Sequence, residues 1–157
     1  MGSHRILAFA FVLPVLLIGG ASALAQGPTY GIGRTPTPEE VKARDISIGA
    51  TGEELPPGKG TAKEGAQIYR KACAACHGAT GIEGIAPILK SKDAANPDLW
   101  ARGRILPLRS PFATTVWDYI NRAMPLNREG TLTPDEVYSL TAFLLFINNV
   151  IPEDQVL

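Results

Sequence analysis

Both cysteines of this 157-residue chain fall in one pentapeptide, Cys73-Ala74-Ala75-Cys76-His77. That is the spacing of covalent c-type haem attachment. Two residues between the thiols let both reach the two vinyl groups on one edge of a porphyrin, and the next residue lifts its imidazole to the iron. Small alanines at 74 and 75 let the backbone lie close to the ring edge. Three other uses of the cysteines compete. A disulfide across two residues closes a small loop and staples little. A thioredoxin-like dithiol wants a strand-helix setting, and no strand pattern precedes Cys73. A structural zinc site wants four ligands, and only Cys73, Cys76 and His77 cluster. The pattern therefore predicts one covalent haem c on Cys73 and Cys76, with His77 as an iron ligand. The ring would be the centre of the core, so a chain without it should be largely unfolded.

The iron needs a second axial ligand or an open site. The other histidine is His4, and the methionines are Met1 and Met124. Met1 and His4 lie in an export signal, as argued next, which leaves Met124. It follows a helical pattern and precedes Pro125, which prevents that helix from continuing and projects Met124 from a turn. A lone methionine more commonly fills a gap in a core. Thioether ligation, by contrast, favours reduced iron and suits electron transfer.

Residues 1–25 read as a signal peptide. His4 and Arg5 supply the positive region and Ile6 to Ile18 the apolar one. Ala23-Leu24-Ala25 matches a small-x-small cleavage pattern, with the cut before Gln26. A retained anchor is the alternative, but thirteen helical residues span only ~20 Å of a ~30 Å hydrocarbon core. The expectation is an exported, periplasmic protein with no membrane span once the signal is removed. Lys and Arg together number 15, as do Asp and Glu. That balance gives no basic field for nucleic acid and no acidic excess.

Residues 26–60 are rich in Pro and Gly and read as an extended arm. Within it Thr37 can cap, Pro38 suits the first helical position, and Glu40 completes a capping box, predicting a helix from Pro38 to Arg44. Composition alone also fits a disordered linker, but Tyr30, Ile32, Ile46 and Ile48 favour an arm that packs on something. Residues 61–150 read as the compact domain and 151–157 as a short tail. Ala62 to Ala72 reads as a helix and Asn96 to Arg102 as a weaker candidate. Ser110 to Ala123 carries Phe112, Val116, Tyr119, Ile120 and Ala123 at helical spacing. Thr133 and Glu136 repeat the capping box and open a helix to Asn148, with Val137, Leu140, Thr141, Leu144 and Leu145 on one face. No alternating strand pattern appears.

The domain resembles class I cytochromes c. Gly65-x-x-x-Tyr69-x-x-x-Cys73 matches that family's first helix, whose small residue lets the first and last helices cross. Leu140 and Phe143 match the last helix. Pro87 resembles the proline whose carbonyl accepts from the free imidazole nitrogen of the ligand histidine. The resemblance implies an all-α class I cytochrome c fold of three to five helices around one covalent haem, here with an N-terminal extended arm. A narrower resemblance spans nearly the whole mature chain, through Tyr30-Gly31-Ile32-Gly33-Arg34, Leu55-Pro56-x-Gly58-x-Gly60, Ser110 to Pro125 and Leu132 to Tyr138. It is to the cytochrome subunit of bacterial sulfane or sulfite dehydrogenases, whose haem accepts electrons from a molybdenum-cofactor subunit. The sulfane-dehydrogenase version carries a second haem domain, whereas this sequence has one C-x-x-C-H.

These features together imply an electron-transfer subunit, not catalytic alone. It would take electrons from a molybdenum-cofactor dehydrogenase subunit and pass them to a downstream cytochrome c or oxidase. A free-standing soluble carrier, the haem subunit of another dehydrogenase, and an enzyme or sensor with an open haem site are the alternatives. Trp100, Arg102, Arg104, Arg109 and Arg122 are candidates for haem propionate contacts, while Trp117 and Tyr119 read as core residues.

Overall fold

The computed structural model describes residues 30–157. The signal-peptide reading of residues 1–25, with Met1, His4 and the cleavage point, lies outside the described residues. The chain divides into a unit ending at Pro36 and a second one, Thr37–Leu157. In the first, residues 30–36 are exposed and form neither helix nor strand.

The second unit is helical, with no strand among the described residues: α1 Pro38–Arg44, α2 Ala62–Ala72, α3 Ala74–His77, α4 Leu106–Arg109, α5 Ala113–Ala123 and α6 Pro134–Phe146. Three helices begin at full capping boxes, Thr37 with Glu40, Thr61 with Glu64 and Thr133 with Glu136. In each, the threonine hydroxyl accepts from the glutamate N–H and the carboxylate accepts from the threonine N–H, satisfying two orphan donors.

The architecture is set by the crossing of α2 and α6. A Cβ on Gly65 would overlap the Ser139 carbonyl oxygen and the Phe143 Cβ, so only glycine lets the backbones meet here. Beside that contact the Tyr69 and Phe143 rings lie 5.0 Å apart. On another side of α6, α5 packs through Trp117, whose ring sits 5.6 Å from that of Tyr138. The core is Tyr69, Val116, Trp117, Ile120, Val137, Leu140 and Leu144. All five residues expected on the buried face of α6 are buried, and so are Ser139 and Ala142 on its other side. A helix enclosed in this way has little amphipathic contrast. Gly65→Val is expected to destabilise the folded protein by about 3 kcal/mol, because the obstruction is backbone and cannot rotate away. Chemical denaturation compared with Gly65→Ala, the smallest overlap, measures it.

Residues 48–60 pack on this domain. The Ile48 N–H donates to Asp118 Oδ1 (3.1 Å), the Tyr138 hydroxyl to Pro56 O (2.9 Å) and the Lys59 N–H to Asp135 Oδ1 (2.9 Å). Ile48 and Leu55 rest against the core cluster. Gly60 and Leu157 exchange two backbone hydrogen bonds of 3.1 Å, so the final residue is tied to the start of the domain.

Three expected elements differ. Asn96 to Arg102 is not a helix but successive turns. Pro97 disfavours helical backbone at Asn96, and short side chains take the local donors: Asn96 Oδ1 accepts from Asp98 N–H and Asp98 Oδ1 from Trp100 N–H. The helix expected from Ser110 begins at Ala113, because the Ser110 hydroxyl turns back to Leu106 O and closes α4 instead. The helix expected to reach Asn148 ends at Phe146. Asn148 is fully buried, and its amide donates to Leu144 O and Leu89 O and accepts from the Ser91 N–H, all at 2.8 Å. That side chain ties the long loop after His77 to the end of α6.

Candidate functional site

Helix α2 runs directly into the C-x-x-C-H segment. Cys73 is its C-cap, with its N–H on Tyr69 O, and its own carbonyl accepts from the N–H groups of Cys76 and His77. This makes the one-turn helix α3. Gly78 then takes φ +84, a conformation open to glycine, and the chain leaves the helix. A single turn thus presents Cys73, Cys76 and His77 together. Both thiols are free, Cys73 half-buried and Cys76 exposed. Burial, with Cys76 beside it, pushes the Cys73 thiol up to about 11. That is the reverse of the depressed thiol of a redox dithiol. Among the described residues no three His, Cys, Asp or Glu side chains group to hold a metal ion.

His77 Nδ1 lies 2.8 Å from Pro87 O. A carbonyl only accepts, so this nitrogen carries the proton; in the neutral ring that tautomer keeps the lone pair on Nε2, the form an iron ligand requires. The loop carrying Pro87 is clamped. Ala86 N–H donates to Cys76 O, Leu89 N–H to Gly81 O (2.8 Å), and the Tyr69 hydroxyl to Gly78 O (2.8 Å). Gly84 approaches so closely that a Cβ there would overlap the Cys76 carbonyl.

Met124 is the C-cap of α5, extended at φ −128°, ψ 151°, with its N–H on Ile120 O. It is half-buried, and it packs against the same apolar cluster that Cys73 touches. Two thiols on one turn, an imidazole with one nitrogen tied and the other free, and a thioether reaching the same cluster fit a covalently held haem. Large apolar side chains nearby in the chain are open: Ile85 is 96% and Trp100 90% exposed.

The propionate candidates separate. Arg102 is committed within the chain, its Nε to Asn96 O and its Nη1 to Asn148 O. Arg122 pairs with Asp118 through two nitrogens. Arg109 is exposed. Arg104 borders a cleft of about 380 Å³ with Ile88, Ser91, Lys92, Ala101 and Ile105. That cleft begins one residue after the carbonyl that holds His77 and is also lined by Arg102; Lys92, a third cation on it, was not among the expected residues. Its only signal in the sequence is a lysine in the loop that returns from Pro87. Trp117 is buried as expected, with its Nε1 lacking a hydrogen-bond partner, but Tyr119 is 44% exposed and is not a core residue. It lies two positions after Trp117 on α5, and that step turns it off the face that meets α6.

Residues 60–144 match the family model for cytochrome C oxidase, cbb3-type, subunit III. A solved structure, the sulfane dehydrogenase SoxCD from Paracoccus pantotrophus, includes a similar chain, with 35% identity and a TM-score of 0.63. The match covers 82% of this chain and 64% of that one, so this chain spans under two thirds of its length. No curated protein sequence shows significant similarity. No helix among the described residues is long and apolar enough to cross a membrane.

Proposed function

The chain belongs to the cytochrome c family of the cbb3-type subunit III domain, and on that premise we propose that it is the haem subunit of a sulfur-oxidising molybdenum dehydrogenase. It carries a single haem c, attached through Cys73 and Cys76 and ligated by His77 and Met124. It receives electrons from a molybdenum-cofactor subunit that oxidises sulfite or sulfane sulfur. It hands them to a downstream cytochrome c or oxidase, in the periplasm, after a signal is cleaved before Gln26. The observation that carries this reading is the likeness to the sulfane dehydrogenase chain, which extends well past the cytochrome domain itself.

When bound, the haem supplies a one-electron iron couple. The chain's part is to fix its surroundings. The Pro87 carbonyl holds the His77 tautomer, so the ligand nitrogen needs no proton movement as the iron changes charge. Tyr69, buried and bonded to Gly78 O, braces the loop that carries that carbonyl; burial pushes its phenol up to about 12, so it stays a neutral donor at any physiological pH. Met124, packed against the apolar cluster, would supply the thioether, a ligand that favours reduced iron.

The test is to produce the chain with haem-attachment machinery and mix it with a sulfite- or sulfane-oxidising molybdenum subunit and substrate. Reduction of the haem, followed by its visible bands, should occur at the rate of substrate turnover. A haem that is reduced at the same slow rate with and without the molybdenum subunit would sink the reading.

A further inference from the structure

Just past α6, Asn148 and Asn149 both reach back to the loop that leaves the C-x-x-C-H turn. Asn148 is fully buried. Its amide has two N–H groups and one oxygen, and each meets a partner of the right kind. The two Nδ2 hydrogens go to the carbonyls of Leu89 and Leu144, and Oδ1 accepts from the Ser91 N–H, all at 2.8 Å. Asn149 takes φ +56, a left-handed conformation that asparagine tolerates, as the chain turns off the helix. Its amide donates to Ala94 O (2.9 Å). Arg102 completes the attachment from further along the loop, with Nη1 on Asn148 O and Nε on Asn96 O.

These bonds act on the stretch that matters to the iron. The carbonyl on His77 Nδ1 belongs to Pro87, two residues before Leu89 and four before Ser91. Upstream, the chain is fixed by the Ala86 N–H on Cys76 O (2.9 Å). Downstream, the Leu89 N–H is on Gly81 O, but Gly81 belongs to the same loop, so that bond shapes the loop without anchoring it. Asn148 is carried by α6, the helix that α2 and α5 pack against, and its amide takes both Leu89 O and the Ser91 N–H. One carbonyl and one N–H two residues apart are what a neighbouring strand would pair with, and here a single side chain supplies that pairing. Buried polar groups are costly to leave unpaired, so the loop is held to one seat. Aspartate in place of Asn148 would face two carbonyls with no donor, and leucine would satisfy none of the three groups.

We propose that Asn148 is a positioning residue for the iron: through Leu89 and Ser91 it seats the Pro87 carbonyl on His77, and so tunes the basicity of the ligand imidazole and the reduction potential. The proposal rests on haem ligation by His77, as given above, and on no partner protein. A carbonyl held close to Nδ1–H makes Nε2 a stronger donor, which favours oxidised iron. Loosening that carbonyl therefore raises the potential, the opposite sign to loss of the Met124 thioether.

The experiment uses the full haem-loaded chain with Asn148→Ala, Arg102→Lys and, as a control, Leu55→Ala, which truncates a side chain packed on the core cluster. Arg102→Lys keeps the charge but loses the fork that spans Asn96 O and Asn148 O. In the reduced protein, the His77 Nδ1 proton followed by NMR in heavy water should exchange on the order of 10-fold faster in Asn148→Ala, the loss of about one buried hydrogen bond. The potential should rise, while the red-end band of methionine ligation stays. Arg102→Lys should show the same two changes to a lesser degree. Leu55→Ala should lose melting temperature and keep the wild-type potential and proton exchange. If Asn148→Ala and Arg102→Lys lose melting temperature alone, Asn148 is only a tie in the loop and the proposal is overturned. A potential that falls in either variant overturns it too. Should Asn148→Ala fail to fold, Arg102→Lys decides by itself on the same two readings. A wild-type chain that takes up no covalent haem overturns the functional reading and this proposal together.

Discussion

Cys73→Ser is expected to yield almost no covalent haem and little folded protein, and Cys76→Ser the same in milder form. A serine hydroxyl cannot form the thioether. The consequence for the fold follows from what the chain can bury unaided. Its core is seven side chains at the meeting of α2, α5 and α6. The stretch from Gly78 to Ile105, by contrast, holds no helix and is held by separate hydrogen bonds, those of Tyr69, Ala86 and His77 near its start and those of the Asn148 amide and the Arg102 guanidinium further on. Ile85 and Trp100 within it, and Leu126 beyond α5, are largely exposed. A bound ring gives such side chains something to cover, and by linkage whatever binds only the folded state stabilises it. The two cysteines should differ because Cys73 is half-buried against the core while Cys76 is exposed. Serine at 73 also places a hydroxyl in an apolar setting, which costs about 1–3 kcal/mol unless it finds a partner. Haem staining after denaturing electrophoresis reads the covalent bond, and thermal melting reads the fold. Haem-free protein with a sharp, cooperative transition would show that the ring is not the centre of the core.

What the sequence made legible was local. Threonine, proline and glutamate at fixed offsets give α1 and α6 their starts, because a capping box is satisfied within four residues. The C-x-x-C-H segment was legible for the same reason, since one turn of chain brings its three functional side chains together. The Pro87 contact to His77 was legible only through likeness to a family. What stayed hidden depends on partners far along the chain. Nothing in Ile48 announces that its N–H will meet Asp118, nor in Pro56 that its carbonyl will meet Tyr138, so the inner arm's attachment to the domain could not be read. Arg102 looked as free as Arg104 until Asn148 claimed it. The turns at 96–102 were misread because helical composition there is overruled by Pro97 and by short polar side chains that bond their own backbone.

Met124→Ala is expected to open the sixth iron position, lower the reduction potential and admit cyanide or carbon monoxide. Axial ligands are a principal lever on haem potential, and loss of the thioether removes the one that favours reduced iron, a change on the order of 100 mV. Met124 also packs half-buried against the core cluster, so truncation has a separate cost in stability of about 1–2 kcal/mol, below that of a fully buried methionine. Two further variants separate ligation from packing. Met124→Leu keeps nearly the same volume but offers no donor; it should restore most of the stability and none of the potential. Met124→His offers a donor again; it should keep six ligands and resist carbon monoxide, yet still lower the potential, because imidazole stabilises oxidised iron relative to thioether. The weak absorption near the red end of the oxidised spectrum, which reports a methionine on ferric iron, should vanish in all three. If instead the potential is unchanged in both the alanine and histidine variants, Met124 is only a packing residue. The iron would then have an open site, and the chain would belong with ligand-binding haem proteins rather than with electron carriers.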